Sequence, residues 1–79
     1  IVSLQVKKGE EKALLELARP AIDATRKEKG CLLYELVQDI EDPTRFVFNE
    51  RWETVDDLAA HIKAAHTQKL VGGMGKLLD

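Results

Sequence analysis

Val2, Leu4 and Val6 alternate with Ser3 and Gln5 at the start of the chain, and this period of two predicts a half-buried strand over Ile1 to Val6. Lys7, Lys8 and Gly9 interrupt it. The period then lengthens to about 3.6, with Leu14, Leu17, Ala18, Ala21, Ile22 and Thr25 on one stripe and Glu11, Lys12, Glu16, Asp23 and Lys27 opposite, so an amphipathic helix follows. Pro20 removes a backbone donor inside it and crowds the Glu16 carbonyl, which predicts a kink or break near Arg19, and Gly30 marks the stop. Cys31 to Gln38 reads as a second strand, with Leu32, Tyr34 and Leu36 facing one way and Cys31, Leu33, Glu35 and Val37 the other. Asp39 to Thr44 is a turn-rich hairpin loop. Arg45 to Trp52 is a third strand, pointing Phe46, Phe48, Glu50 and Trp52 to one face. Thr54 and Asp57 resemble a capping box, so a second helix starts at Val55 on the stripe Val55, Leu58, Ala59 and Ile62, and ends between His61 and His66. Leu70, Met74, Leu77 and Leu78 recur at helical spacing and predict a third helix despite three nearby glycines.

The order strand, helix, strand, strand, helix is most of a ferredoxin-like α+β unit with an antiparallel sheet, over a single domain spanning residues 1–79. Its fourth strand is missing and is expected after Asp79, since strand one or strand three would otherwise keep an unpaired edge. The even-numbered positions of all three strands are the more apolar, so the helices should cover that face, with any small-molecule cavity between helices and sheet. The odd face, with Leu33, Glu35, Val37, Val47, Asn49 and Arg51, mixes apolar area with opposite charges and suits contact with a second copy.

Size strengthens that expectation. A chain of 79 residues buries only about 60% of its unfolded surface, and oligomerisation is a common remedy. A net charge of -2 with interspersed signs argues against nucleic acid and anionic membranes as partners. The lone Cys31 fits a reducing compartment, and no apolar run is long enough to cross a membrane, so a cytoplasmic setting is expected.

Candidate chemistry gathers between Arg45 and His66. His61 lies about 60° from Leu58 on a helical wheel, where its imidazole could enter a cavity and accept a proton near neutral pH, or tie its helix to a backbone carbonyl or to Glu50. Glu50, a carboxylate among aromatics, must find a partner or be desolvated, and either fate is compatible with proton transfer. Tyr34 and Trp52 could stack on a planar ring and offer an O–H and an N–H. Phe46 and Phe48 read mainly as core, with Phe48 also counted among the substrate-contacting side chains. His66 reads as a packing or capping residue and Cys31 as a small buried hydrophobe. His61 and His66 are five apart, a spacing that does not set two ligands on one helical face, so no metal is expected.

The run GCLLYELVQD at Gly30 to Asp39, DPTRFVFNERWET at Asp42 to Thr54 and AAH at Ala59 to His61 resembles the antibiotic biosynthesis monooxygenase (ABM) domain family. The resemblance implies a dimeric α+β barrel in which two ferredoxin-like sheets face one another. It also implies oxidation of a small phenolic or quinol-type aromatic substrate with O2, using no cofactor, neither metal nor flavin. His61, with Glu50, would then be the catalytic base, and Tyr34, Trp52 and Phe48 would hold the ring. The alternatives are a non-catalytic homodimer that binds a small metabolite and an isomerase of a small signalling metabolite.

Overall fold

The structure, a computed structural model, describes all residues 1–79. Strand β1 (Val2–Gln5) leads into α1 (Glu11–Thr25), followed by β2 (Cys31–Gln38), β3 (Arg45–Trp52), α2 (Val55–Lys63) and α3 (Ala65–Met74). The sheet is antiparallel in the order β1-β3-β2. Thus β3 is central, and the edges belong to β1 and β2 rather than to β1 or β3 as the sequence reading had it.

Val6 extends the first strand only as an isolated bridge to Leu78. Backbone bonds from Lys7 N to the Leu77 carbonyl and from Asp79 N to the Gln5 carbonyl, each 2.8 Å, flank that bridge. Pairing on the free β1 edge is therefore present at Leu77 to Asp79, before the point where a strand was expected. It also removes Leu77 and Leu78 from the third helix, which ends at Met74.

Face assignment by parity holds along most of the sheet. Leu4, Val6, Tyr34, Phe46 and Phe48 are buried beneath the helices, in one core with Leu14, Ala18, Ala21, Leu70 and Leu77. The exception has a local cause. Cys31 pairs with Trp52 but Leu33 pairs with Arg51, so Leu32 is an extra residue in a β-bulge. The bulge ejects Leu32 to 61% exposure and carries Cys31 onto the helix-covered face beside Trp52, reversing both assignments. On the opposite face Glu35 is hydrogen-bonded to Asn49, and Leu33 and Val37 remain substantially exposed with no helix over them.

Helix α1 runs unbroken through Pro20. Both Pro20 and Glu16 lie on its solvent side, where water can serve the carbonyl that loses its donor, so the expected break does not occur. After Thr25 the chain leaves the helix through short backbone bonds, Lys27 N to Ala24 O and Glu28 N to Thr25 O, and turns at Gly30. Gly30 has φ +80, and a β-carbon there would collide with the Asp57 carboxylate of α2. A glycine is thus required twice, for the left-handed backbone and for the close approach of α2.

Replacement of Phe46, which is fully buried, by Ala should destabilise the fold by about 3–5 kcal/mol, whereas Leu32→Ser should stay within about 0.5 kcal/mol. Chemical denaturation of the two variants measures the contrast that the bulge assignment requires.

Candidate functional site

Helix α2 begins at Thr54, whose side-chain oxygen accepts a hydrogen bond from Asp57 N at 3.1 Å. It stops at Lys63 because Ala64 is extended, with φ -65 and ψ 145, and α3 restarts at Ala65 with no cap from a side chain. His61 and His66 therefore lie on different helices. The break folds α3 back so that both rings meet a third group, Glu28, from the turn between α1 and β2. A single carboxylate oxygen, Glu28 Oε2, is 2.8 Å from His61 Nδ1 and 2.8 Å from His66 Nε2. Thr67 Oγ1 lies 3.3 Å from the same His61 nitrogen.

His61 is the one buried residue of α2, at 4% exposure. The apolar stripe expected to bury that helix does something else. Val55 and Ile62 are largely exposed and, with Leu58, form one wall of a cavity of about 690 Å³ open to solvent. Val2, Phe48, Leu70, Val71 and Met74 add to its apolar lining, and Tyr34, Glu50, Trp52, His61 and Thr67 are among its polar groups. The cavity lies between helices and sheet, on the predicted face.

Two aromatic side chains flank the His61 ring. Trp52 lies 4.7 Å away between centroids at 31°, and Tyr34 lies 5.2 Å away edge-on at 65°. Phe48 packs on Tyr34 at 5.5 Å. The Trp52 indole N–H donates to Glu50 Oε1 at 2.8 Å, so Glu50 has its partner, and the indole N–H is already committed rather than open to a ligand. Burial, reinforced by the negative charges of Glu50 and Glu28, pushes the Tyr34 phenol up to about 12. Tyr34 is consequently a hydrogen-bond donor at neutral pH and not a base. Burial and the nearby Glu28 charge also push the Cys31 thiol up, in keeping with an unreactive cysteine.

The sequence signature described as antibiotic biosynthesis monooxygenase matches residues 1–72. The chain belongs to the antibiotic biosynthesis monooxygenase family. No curated protein matches it. Among solved structures, one described as an antibiotic biosynthesis monooxygenase is 32% identical with a TM-score of 0.89, covering 96% of this chain and 80% of its own. A Pseudomonas aeruginosa protein is 30% identical with a TM-score of 0.89, covering 98% of this chain and 78% of its own. A conserved Methanosarcina mazei Go1 protein is 28% identical with a TM-score of 0.93, covering 98% and 76% respectively.

In this ABM-family chain the cavity brings together His61, Glu50, Tyr34, Trp52 and Phe48, all five residues singled out from the sequence. Two readings of the histidines need correction. His61 is anchored by Glu28 and not by Glu50, and His66 is a partner in the same cluster rather than a cap. The spacing argument against a metal fails as well, because it assumed one continuous helix. Glu28, His61 and His66 present ligand atoms all within 4.8 Å of one another, a donor set of two imidazoles and a carboxylate that could hold a divalent cation. In the present geometry direct hydrogen bonds join them.

Glu28 itself escaped the sequence reading. Desolvation pushes its carboxyl up, but the hydrogen bonds from His61 and His66, with the attraction of their charged forms, outweigh it and hold the group below the ordinary carboxylate value of 4.5. A depressed native pKa means that stability from this carboxylate is present above pH 4.5 and is lost as pH falls through the native value. Glu28→Gln should therefore be less stable than the parent at pH ~7, with the difference shrinking on titration toward pH ~3. Urea unfolding at several pH values reads that difference directly.

Proposed function

We propose that this ABM-family protein is a cofactor-independent monooxygenase of a small phenolic or quinol-type aromatic substrate, with O2 as the oxidant and His61 as the base. One observation carries the reading: the Nδ1 edge of His61 is bound to a carboxylate while its Nε2 has no protein partner, in a ring that lines the cavity beside Trp52 and Tyr34. An aromatic substrate fits a cavity with an indole wall, and its hydroxyl is the group that a neutral imidazole can deprotonate.

The chemistry asks little more of the protein. The substrate O–H bond breaks and its proton forms a bond with His61 Nε2. The resulting phenolate is electron-rich enough to pass one electron to O2, giving a phenoxyl radical and superoxide. Their recombination forms a C–O bond. His61 returns its proton to that peroxide anion, and loss of the ring C–H proton from the same carbon with cleavage of the O–O bond releases water, leaves one oxygen atom on the ring and yields the quinone. The base thus performs the activating step, and the cavity keeps the reactants together. Tyr34, protonated throughout, can donate to a substrate or product oxygen. Glu50 holds the Trp52 plane through the indole N–H, which leaves its other oxygen available to accept from a second substrate hydroxyl. Phe48 backs Tyr34.

The helix-free sheet face supports a homodimer as the working form. Leu33 and Val37 are 36% and 42% exposed there, beside the polar pair Glu35 and Asn49, which is the mixed surface that a sheet-to-sheet contact buries. Light scattering at micromolar concentration should give twice the chain mass, and Val37→Glu should shift it toward the monomer. A monomeric parent would count against the barrel assembly.

Oxygen uptake by metal-stripped protein against a panel of phenols and reduced quinones tests the reaction. Uptake should exceed autoxidation and fall at least ~10-fold in His61→Ala, equivalent to about 1.4 kcal/mol of barrier. No uptake on any substrate, with both proteins folded, would favour metabolite binding or isomerisation in the same cavity.

A further inference from the structure

Glu28 and His66 contribute no wall to the cavity, yet the ring that the proposed reaction depends on is held through them. We infer that Glu28, steadied by His66, is the positioning residue of this site: it fixes His61 as the tautomer with its proton on Nδ1 and its free electron pair on Nε2, facing the cavity. The inference deepens the reading of His61 as a base and rests on it.

An ionised carboxylate oxygen only accepts hydrogen bonds, so each nitrogen 2.8 Å from Glu28 Oε2 must carry a hydrogen. His61 therefore has its proton on Nδ1 when neutral, and Nε2 is left with the lone pair. Were Glu28 absent, the nearest polar atom would be Thr67 Oγ1 at 3.3 Å, a hydroxyl that can donate or accept and so enforces neither tautomer.

When Nε2 takes a substrate proton, the ring of His61, a residue only 4% exposed, becomes an imidazolium. The ionisable groups around it are Glu28 and Arg26 from the turn after α1, Glu50 from β3 and His66 from α3, with Tyr34 and Cys31 from β2. Arg26 is turned to the Tyr34 carbonyl at 2.9 Å, and Glu50 is engaged by Trp52. Glu28 is the carboxylate in direct contact with the ring, and it balances the new charge where it forms.

Glu28 stands on a turn outside any helix or strand, where an unanchored carboxylate would sample several rotamers. His66, 28% exposed and fixed on α3, donates to the same oxygen and holds it against His61. The order of dependence is His66, then Glu28, then His61.

Proton-coupled nitrogen spectra of the histidine rings, recorded on the substrate-free protein, together with steady-state oxygen uptake, test this. The parent should show neutral His61 protonated on Nδ1. In Glu28→Gln the new amide can donate to Nδ1, so the tautomer should move to Nε2–H, with kcat falling ~100-fold or more and KM changing less than ~2-fold. His66→Ala should give a mixture of tautomers and a smaller fall, and Glu28→Asp should recover part of the loss. A parent His61 protonated on Nε2 overturns the inference, as does a tautomer unmoved in both Glu28→Gln and His66→Ala. Circular dichroism establishes that each variant is folded, and if Glu28→Gln fails to fold, His66→Ala and Glu28→Asp decide by the same spectra. The spectra need no substrate. A tautomer that responds as stated, with no uptake by the parent, supports the positioning role and overturns the oxygenase reading instead.

Discussion

One carboxylate oxygen ties together three segments of the chain. Glu28 Oε2 comes from the turn after α1, His61 from α2 and His66 from α3, and each nitrogen lies 2.8 Å from it. Bonds to an ionised acceptor are about twice as strong as neutral ones, and partial burial of Glu28 strengthens them further. The arrangement depends on two backbone events, neither of them inside an element. The left-handed Gly30 lets the chain turn into β2 directly under Asp57, and the extended Ala64 separates the two histidines into helices that converge.

The same cluster divides the labour of the His61 ring. One edge is committed to the protein and the other is left to the cavity, while Trp52 and Tyr34 restrict its tilt. Around it each polar group has a defined state. The Glu50 carboxylate accepts from Trp52, and the Tyr34 phenol, pushed up to about 12, stays protonated. A site with one group able to accept a proton and one able only to donate has the asymmetry that directional proton transfer requires.

Much of this was legible in the sequence because it follows from period. The bounds of β2 and β3, the start of α2 at Val55, and the face shared by Tyr34, Phe48, Glu50 and Trp52 are set by alternation and by the Thr54 cap, both local signals. What escaped reading has no local signal. The Leu32 bulge lies in an otherwise regular apolar alternation, and only the pairing of Cys31 with Trp52 reveals it. The sequence brackets the end of α2 between His61 and His66, but that alanine-rich stretch holds no proline or glycine, so nothing local marks Ala64 as the break or shows that α3 folds back toward Glu28. Glu28 is flanked by Lys27 and Lys29 and looks like the solvated end of α1, although its place two residues before the turning Gly30 is a hint that its position is fixed.

The behaviour of α2 shows why site and stability are coupled here. An amphipathic helix ordinarily holds itself to a sheet by burying its apolar stripe, at about 25 cal/mol for each Å² removed from water. In α2 that stripe is spent differently, because Val55 and Ile62 remain 82% and 54% exposed on the cavity wall. The residue that α2 does bury is His61, and a buried imidazole is tolerable only with its hydrogen bond made. The helix is thus seated by its polar contact with Glu28 and not by a dry interface. Filling the cavity with larger core residues would seat α2 more firmly and abolish the space a substrate needs. An open cavity therefore requires a polar anchor, and placing that anchor on His61 makes the group that holds the helix the same group that faces the ligand.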